Sequence, residues 1–169
     1  MSEFSNLQNA NLVRPRLWLG NYDAARDERF LQANNITVIF NCTKNLEFLP
    51  LPSVQRRYRI PVDDNLRDEE IINMEKWSPE FVMILLQEYK AGNTILVHCA
   101  AGMQRSAAAV AMLLIVLEGL TPAEAIAAVQ QKRIIAFMPS ANFRRSIEGF
   151  NQYYRRRIIP YLEEQKKNS

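Results

Sequence analysis

The stretch Thr94-Ile-Leu-Val-His-Cys-Ala-Ala-Gly-Met-Gln-Arg-Ser106 constrains the fold of this chain more than any other. Ile95 to Val97 is an uninterrupted apolar run with β-branched members, the pattern of a strand buried on both faces. Gly92-Asn93 opens it, and Ala107 to Leu117 is an apolar run of good helix formers. The residues between therefore form a short loop from a buried strand to a helix N-terminus. That loop holds Cys99, Gly102 and Arg105.

Such a loop aims its backbone N–H groups and the positive end of the following helix at one point, which makes an anion site. Ala100, Ala101, Gly102, Met103, Gln104 and Arg105 are the candidate phosphate-binding residues. Cys99 stands at the entrance, where the field that attracts a phosphate also favours the nucleophilic thiolate. Arg105 can fork onto two phosphate oxygens as charge redistributes in phosphoryl transfer. Gly102 lets the backbone turn tightly round the ligand. Ser106 brings a hydroxyl within reach of the sulfur, to stabilise it as a leaving group.

At these residues the chain resembles the cysteine-dependent protein tyrosine phosphatases, whose motif is His-Cys-x5-Arg followed by Ser or Thr. His98, Cys99, Arg105 and Ser106 match it residue by residue. The Ala-Ala-Gly filling is most similar to the dual-specificity branch, cellular or poxvirus-encoded; Met103-Gln104 departs from the commoner Val-Ser or Val-Asn. Beside Cys99, the expected part of His98, the only histidine, is to orient the loop and tune the thiol rather than to act as a base. The resemblance covers about Leu17 to Tyr153. It implies hydrolysis of phosphotyrosine and phosphoserine or phosphothreonine monoesters through a phosphocysteine, with no cofactor and no metal.

Composition agrees with one domain: 169 residues, 48% hydrophobic and 23% charged. With 21 basic and 18 acidic residues the formal net charge is +3, and no aromatic-interleaved basic stripe appears. A phosphoprotein is the expected partner rather than a nucleic acid. Two cysteines, one assigned to chemistry, argue against a disulfide framework and for a reducing, cytoplasmic or nuclear compartment. Met1 to Ala10 is polar, without a visible signal peptide, and no apolar run approaches the roughly 18 residues that span a bilayer. No Cys, His and carboxylate cluster has metal-ligand spacing.

In chain order, residues 1–11 are expected to be loosely ordered, 12–158 to form the catalytic domain and 159–169 a C-terminal extension. Leu17 to Leu19 reads as a strand, Tyr22 to Ala33 as one surface helix, Ile36 to Phe40 and Gln55 to Val62 as strands. Arg56, Arg57 and Arg59 are most simply solvent-facing. Asp68 to Trp77 and Ser78 to Lys90 read as two helices, the second with Ser78 as N-cap and Pro79 at its first position. Thr121-Pro-Ala-Glu124 is a capping box, and Ser140 is the expected cap of a last long helix. Arg144, Arg145 and Arg155 to Arg157 read as a solvated basic face.

The expected fold is an α/β single domain, a central, mainly parallel twisted sheet of four to five strands flanked by helices. The phosphate-binding loop joins its last buried strand to a helix. Cys42 follows a strand directly and so belongs at the same sheet edge as Cys99. It is either a redox partner forming a disulfide with Cys99 or a small core residue, the commoner case.

A cysteine phosphatase needs an acid to protonate the departing oxygen. Ile60-Pro-Val-Asp-Asp-Asn65 resembles the family's acid loop, in which the second acidic residue acts; that implies Asp64. Two rivals share the fold, an RNA 5′-triphosphatase and a phosphoinositide phosphatase, but those branches usually carry His-Gly or lysines in the loop. A catalytically inert phosphoprotein-binding module is the rival of another class; it would normally have lost the cysteine, the arginine or the acid.

Overall fold

A computed structural model describes residues 8–169 of the chain. Five strands, β1 (Ala10–Arg14), β2 (Leu17–Gly20), β3 (Val38–Asn41), β4 (Arg56–Arg59) and β5 (Ile95–His98), form one sheet in the order β1-β2-β5-β3-β4. Only β1 and β2 pair antiparallel. The helices are α1 (Tyr22–Ala25), α2 (Glu28–Ala33), α3 (Asp68–Lys90), α4 (Arg105–Glu118), α5 (Pro122–Lys132), α6 (Arg144–Tyr153) and α7 (Ile159–Lys167).

The period of two along the central strands sorts side chains between two apolar layers. Ile95 and Val97 of β5, with Val38 and Phe40 of β3, face the larger core, built with α3, α4, α5 and α6. Leu96 and Ile39 face the smaller core, closed by Ala24, Ala25 and Leu31 of α1 and α2. Helix α4 runs through the larger layer, buried from Ser106 to Ile115. Its alanines let neighbouring elements approach, and each fully buried leucine contributes about 1.5–3 kcal/mol. The helix ends at Gly119, whose φ of 67° and N–H bond to the Ile115 carbonyl close the last turn.

Several boundaries differ from expectation. Ala10 and Asn11, within the stretch expected to be loose, belong to β1, because pairing with β2 satisfies their backbone; residues 1–7 lie outside the described residues. Tyr22 to Ala33 is two helices, because Asn21 caps the first and Asp27 caps the second by accepting from the Phe30 N–H. The expected break at Ser78-Pro79 is absent: α3 is continuous. Pro79 cannot donate to the Glu75 carbonyl, and the Ser78 hydroxyl does so instead at 2.6 Å. Ser140 does not cap the helix expected there, since α6 starts at Arg144 with no side-chain cap. The boundary expected at 158/159 falls inside a helical run, where a π-helical turn, Tyr154–Ile158, joins α6 to α7. Pro160 cannot donate to the Arg156 carbonyl, and the wider turn accommodates its ring.

The arginines of the expected solvated stretches are partly engaged. Arg56 pairs with Glu88, Arg57 and Arg59 bind loop carbonyls, and Arg145 reaches Asp68. Among the described residues no single helix is long and apolar enough to cross a membrane.

Candidate active site

Residues 99–104 connect β5 to α4 at the sheet's C-terminal edge. Their conformation is fixed from outside, because every carbonyl in the loop has a donor. His98 Nδ1 stands 3.3 Å from the Cys99 oxygen. The Tyr22 N–H donates to Ala100, the Phe137 N–H to Met103 and the Ala108 N–H to Gln104. Arg133 Nη2 and Nε donate to the Ala101 and Gly102 oxygens at 3.1 and 2.8 Å. In a trans peptide N–H and C=O point opposite ways, so anchoring the carbonyls outward turns the N–H groups of residues 100–105 inward. Gly102 has a φ of 68°, and a Cβ there would lie 2.5 Å from the Gly20 oxygen. The end of β2 thus demands a glycine in the loop.

Cys99 is 3% exposed, with its sulfur 3.1 Å from the Ser106 hydroxyl. Burial pushes the thiol pKa up. The hydroxyl and N–H of Ser106, the Arg105 charge and the Gly102 N–H outweigh it, and the net shift is downward. Arg105 donates from Nη1 to the Val62 oxygen at 3.1 Å, while its buried Nε has no hydrogen-bond partner among the described residues. That leaves donor capacity suited to an anion.

His98 is buried and lies against the Tyr22 ring. Burial, with repulsion from Arg59 and Arg105, pushes its pKa down to about 4 despite the bond to the Cys99 carbonyl. The ring is neutral at pH 7, and the proton on Nδ1 points at that carbonyl.

Asp64, Cys99, Ala100, Ala101, Met103, Gln104, Arg105, Met138 and Asn142 surround one pocket of about 330 Å³. His98 and Ser106 stand behind it, and Gly102 shapes the loop without lining it. The two adjacent aspartates part company. Asp64 Oδ1 accepts from Asn142 Nδ2 at 3.0 Å, whereas Asp63 pairs with Lys44 at 3.4 Å and gives its N–H to Glu70. Cys42 is fully buried beside the site, donates its N–H to the His98 carbonyl, and has its thiol pKa raised, first by burial. Both cysteines are free thiols.

Arg133 and Asn142 escaped sequence reasoning, as did the part played by the Gln104 side chain. Arg133 is 1% exposed and also binds the Gln8 carbonyl and Asn11 Oδ1. An arginine between an amphipathic helix and the apolar run Ile134 to Phe137 was the available signal. Gln104 is expected only as a member of the phosphate-binding loop, not for its side-chain bonds, and no local pattern marks Asn142 as a partner of Asp64.

The chain matches the family model described as dual specificity phosphatase, catalytic domain, over residues 17–153. It is 30% identical to dual specificity protein phosphatase 1 of Arabidopsis thaliana over 142 residues, 84% of this chain and 69% of that one. With dual specificity protein phosphatase 22-B of Danio rerio it shares 28% over 159 residues, 94% and 83% of the two chains. The crystal structure of DUSP15 superposes with a TM-score of 0.78 at 29% identity, covering 93% of this chain and 97% of that one. The chain belongs to the dual specificity phosphatase family and carries that family's hydrolase domain.

Proposed function

We propose that Cys99, Arg105, Asp64 and Ser106 carry out hydrolysis of phosphotyrosine and phosphoserine or phosphothreonine monoesters on proteins. The convergence of Cys99, Arg105 and Asp64 on one pocket carries this reading. The Cys99 thiolate attacks phosphorus while the inward N–H groups and Arg105 hold the equatorial oxygens. As the phosphorus–oxygen bond breaks, Asp64 gives its proton to the departing oxygen. Water then attacks the phosphocysteine, Asp64 takes the proton, and the sulfur leaves as a thiolate that accepts from the Ser106 hydroxyl. His98 stays neutral and holds the loop.

The pocket lining favours this over the inositide and RNA readings. Among the described residues that line it Arg105 is the only cation, and Met103 and Met138 flank it, so a second phosphate finds no partner among them while an aryl or alkyl group finds apolar contact. Two free thiols suit a reducing compartment, so we place the protein in the cytoplasm or nucleus.

The test is turnover of phosphotyrosine and phosphothreonine peptides by wild type and Cys99→Ser. Wild-type hydrolysis of both, abolished in Cys99→Ser with peptide binding kept, is expected. Activity near wild type in Cys99→Ser would sink the mechanism.

A further inference from the structure

Asp64 is exposed on a loop without regular secondary structure, so nothing in its own segment fixes where its carboxylate points. What reaches it comes from elsewhere. Asn142 Nδ2 donates to Asp64 Oδ1 at 3.0 Å. Asn142 is in turn held by its N–H, which donates to Gln104 Oε1 at 2.9 Å. The Gln104 amide nitrogen donates to the Met138 carbonyl at 3.1 Å and the Ser140 carbonyl at 2.8 Å. Gln104 is 6% exposed, and both hydrogens of its side-chain NH₂ and its oxygen are engaged, by two carbonyls and one N–H. It bolts segment 138–142 to the phosphate loop, next to Arg105.

We infer that Gln104 and Asn142 are positioning residues that hold the Asp64 carboxyl over the phosphate site; this rests on Asp64 being the acid. The hydrogen-bonded path runs from the residue beside the phosphate-holding arginine to the acid itself. It ties the distance between phosphorus and proton donor to the frame of the loop rather than to the acid segment. Asn142 also reserves Oδ1 as an acceptor. A protonated carboxyl keeps one carbonyl-type oxygen, so the proton resides on Oδ2, free to be delivered. A serine at position 104, as in one of the two commoner family patterns, is too short to reach both carbonyls and the N–H.

The experiment measures kcat/KM, which reports the step up to phosphocysteine formation, across aryl phosphates from dinitrophenyl to phenyl. Asp64→Asn should make the dependence on leaving-group basicity steeper, since weakly basic leaving groups need no acid. Asn142→Ala and Gln104→Ser should steepen it too, costing about 10- to 10²-fold on phenyl phosphate and far less on dinitrophenyl phosphate. Placed in the Asp64→Asn background, both should cost little more, because they act through a carboxyl already removed. Asn142 is only partly buried, so Asn142→Ala remains informative even if Gln104→Ser folds poorly.

An equal loss on all substrates, or full additivity with Asp64→Asn, means a structural role and overturns the inference. If Asp64→Asn steepens the dependence and neither other variant does, this inference alone fails. If Asp64→Asn leaves the slope unchanged, the acid assignment fails and takes the inference with it.

Discussion

The Cys99 sulfur lies 3.1 Å from the Ser106 hydroxyl, the one on the loop that begins the site and the other in the first turn of α4. In the thiolate form that hydroxyl donates to sulfur, a charge-assisted bond worth about 1.5–3 kcal/mol. Ser106→Ala should therefore move the pH dependence of Cys99 alkylation by iodoacetate upward. It should also slow release of thiolate from the phosphocysteine by about 10- to 10²-fold. A burst of aryl alcohol followed by slow turnover in rapid-mixing kinetics is the expected signature. Single-phase kinetics with an unshifted alkylation profile would show that the hydroxyl is idle.

Arg105→Lys tests the fork. The native guanidinium keeps Nη1 on the Val62 carbonyl and leaves Nε without a partner among the described residues. A lysine supplies a point charge with neither geometry. Turnover should fall by about 10² or more, with weaker protection of Cys99 from alkylation by inorganic phosphate. Retention of both would remove Arg105 from the phosphate.

Arg133 holds the loop from behind. Its guanidinium bridges Ala101, Gly102, Gln8 and Asn11, joining the phosphate loop to the chain leading into β1. Arg133→Met removes these donors and leaves the loop carbonyls buried without partners, each costing about 1–3 kcal/mol. Urea titration should show a destabilisation of about 3 kcal/mol or more, with lowered turnover on every aryl phosphate alike. A loss under about 1 kcal/mol would mean that water replaces the side chain easily.

The long reach of Arg133 shows where sequence reading ends. β5, the loop and α4 were legible because an apolar run, a glycine and an alanine-rich helix are contiguous, and each carries its own local reason. The partners of Arg133 lie between 31 and 125 residues away, a juxtaposition no local pattern encodes. Ser78-Pro79 failed differently. It is a sound helix-start signal locally, but here the Ser78 hydroxyl takes over the bond that Pro79 cannot make. The turn of α3 at Glu75 also meets Gly149 of α6, where a Cβ would clash with the Glu75 carboxylate. Packing kept the helix whole. The different parts expected of Asp63 and Asp64 rest on resemblance, and the geometry that separates the two carboxylates needs Lys44, Glu70 and Asn142, from three other segments.

His98 gives a pH prediction with a defined sign. Its folded-state pKa is pushed down to about 4, against about 6.5 in an unfolded chain. Above pH 6.5 both states are neutral and the contribution is complete. Between 6.5 and 4 the unfolded chain binds a proton that the folded one refuses, so stability falls as pH falls, by on the order of 3 kcal/mol in all. Unfolding of His98→Gln, compared with wild type at pH 7.5 and 4.5, should show a shallower loss in the variant. Parallel curves would mean that other groups carry the acid sensitivity.

The last prediction separates the two aspartates. Asp63 is engaged by Lys44, and the Glu70 carboxylate that takes its N–H also binds that lysine. Asp64 lines the pocket with Cys99 and Arg105. A general acid acts only while protonated, so its ionisation produces the alkaline limb of the pH–rate profile, whereas formation of the Cys99 thiolate shapes the acidic limb. Asp64→Asn should cut kcat/KM on phenyl phosphate by about 10² to 10⁴ and flatten the alkaline limb. Asp63→Asn should keep the bell shape, since it removes only a half-exposed ion pair worth at most about 1 kcal/mol. Should Asp63→Asn flatten the alkaline limb and Asp64→Asn leave it, the acid is Asp63 and the carboxyls exchange position when substrate binds. If both variants keep the limb, the proton comes from outside this loop.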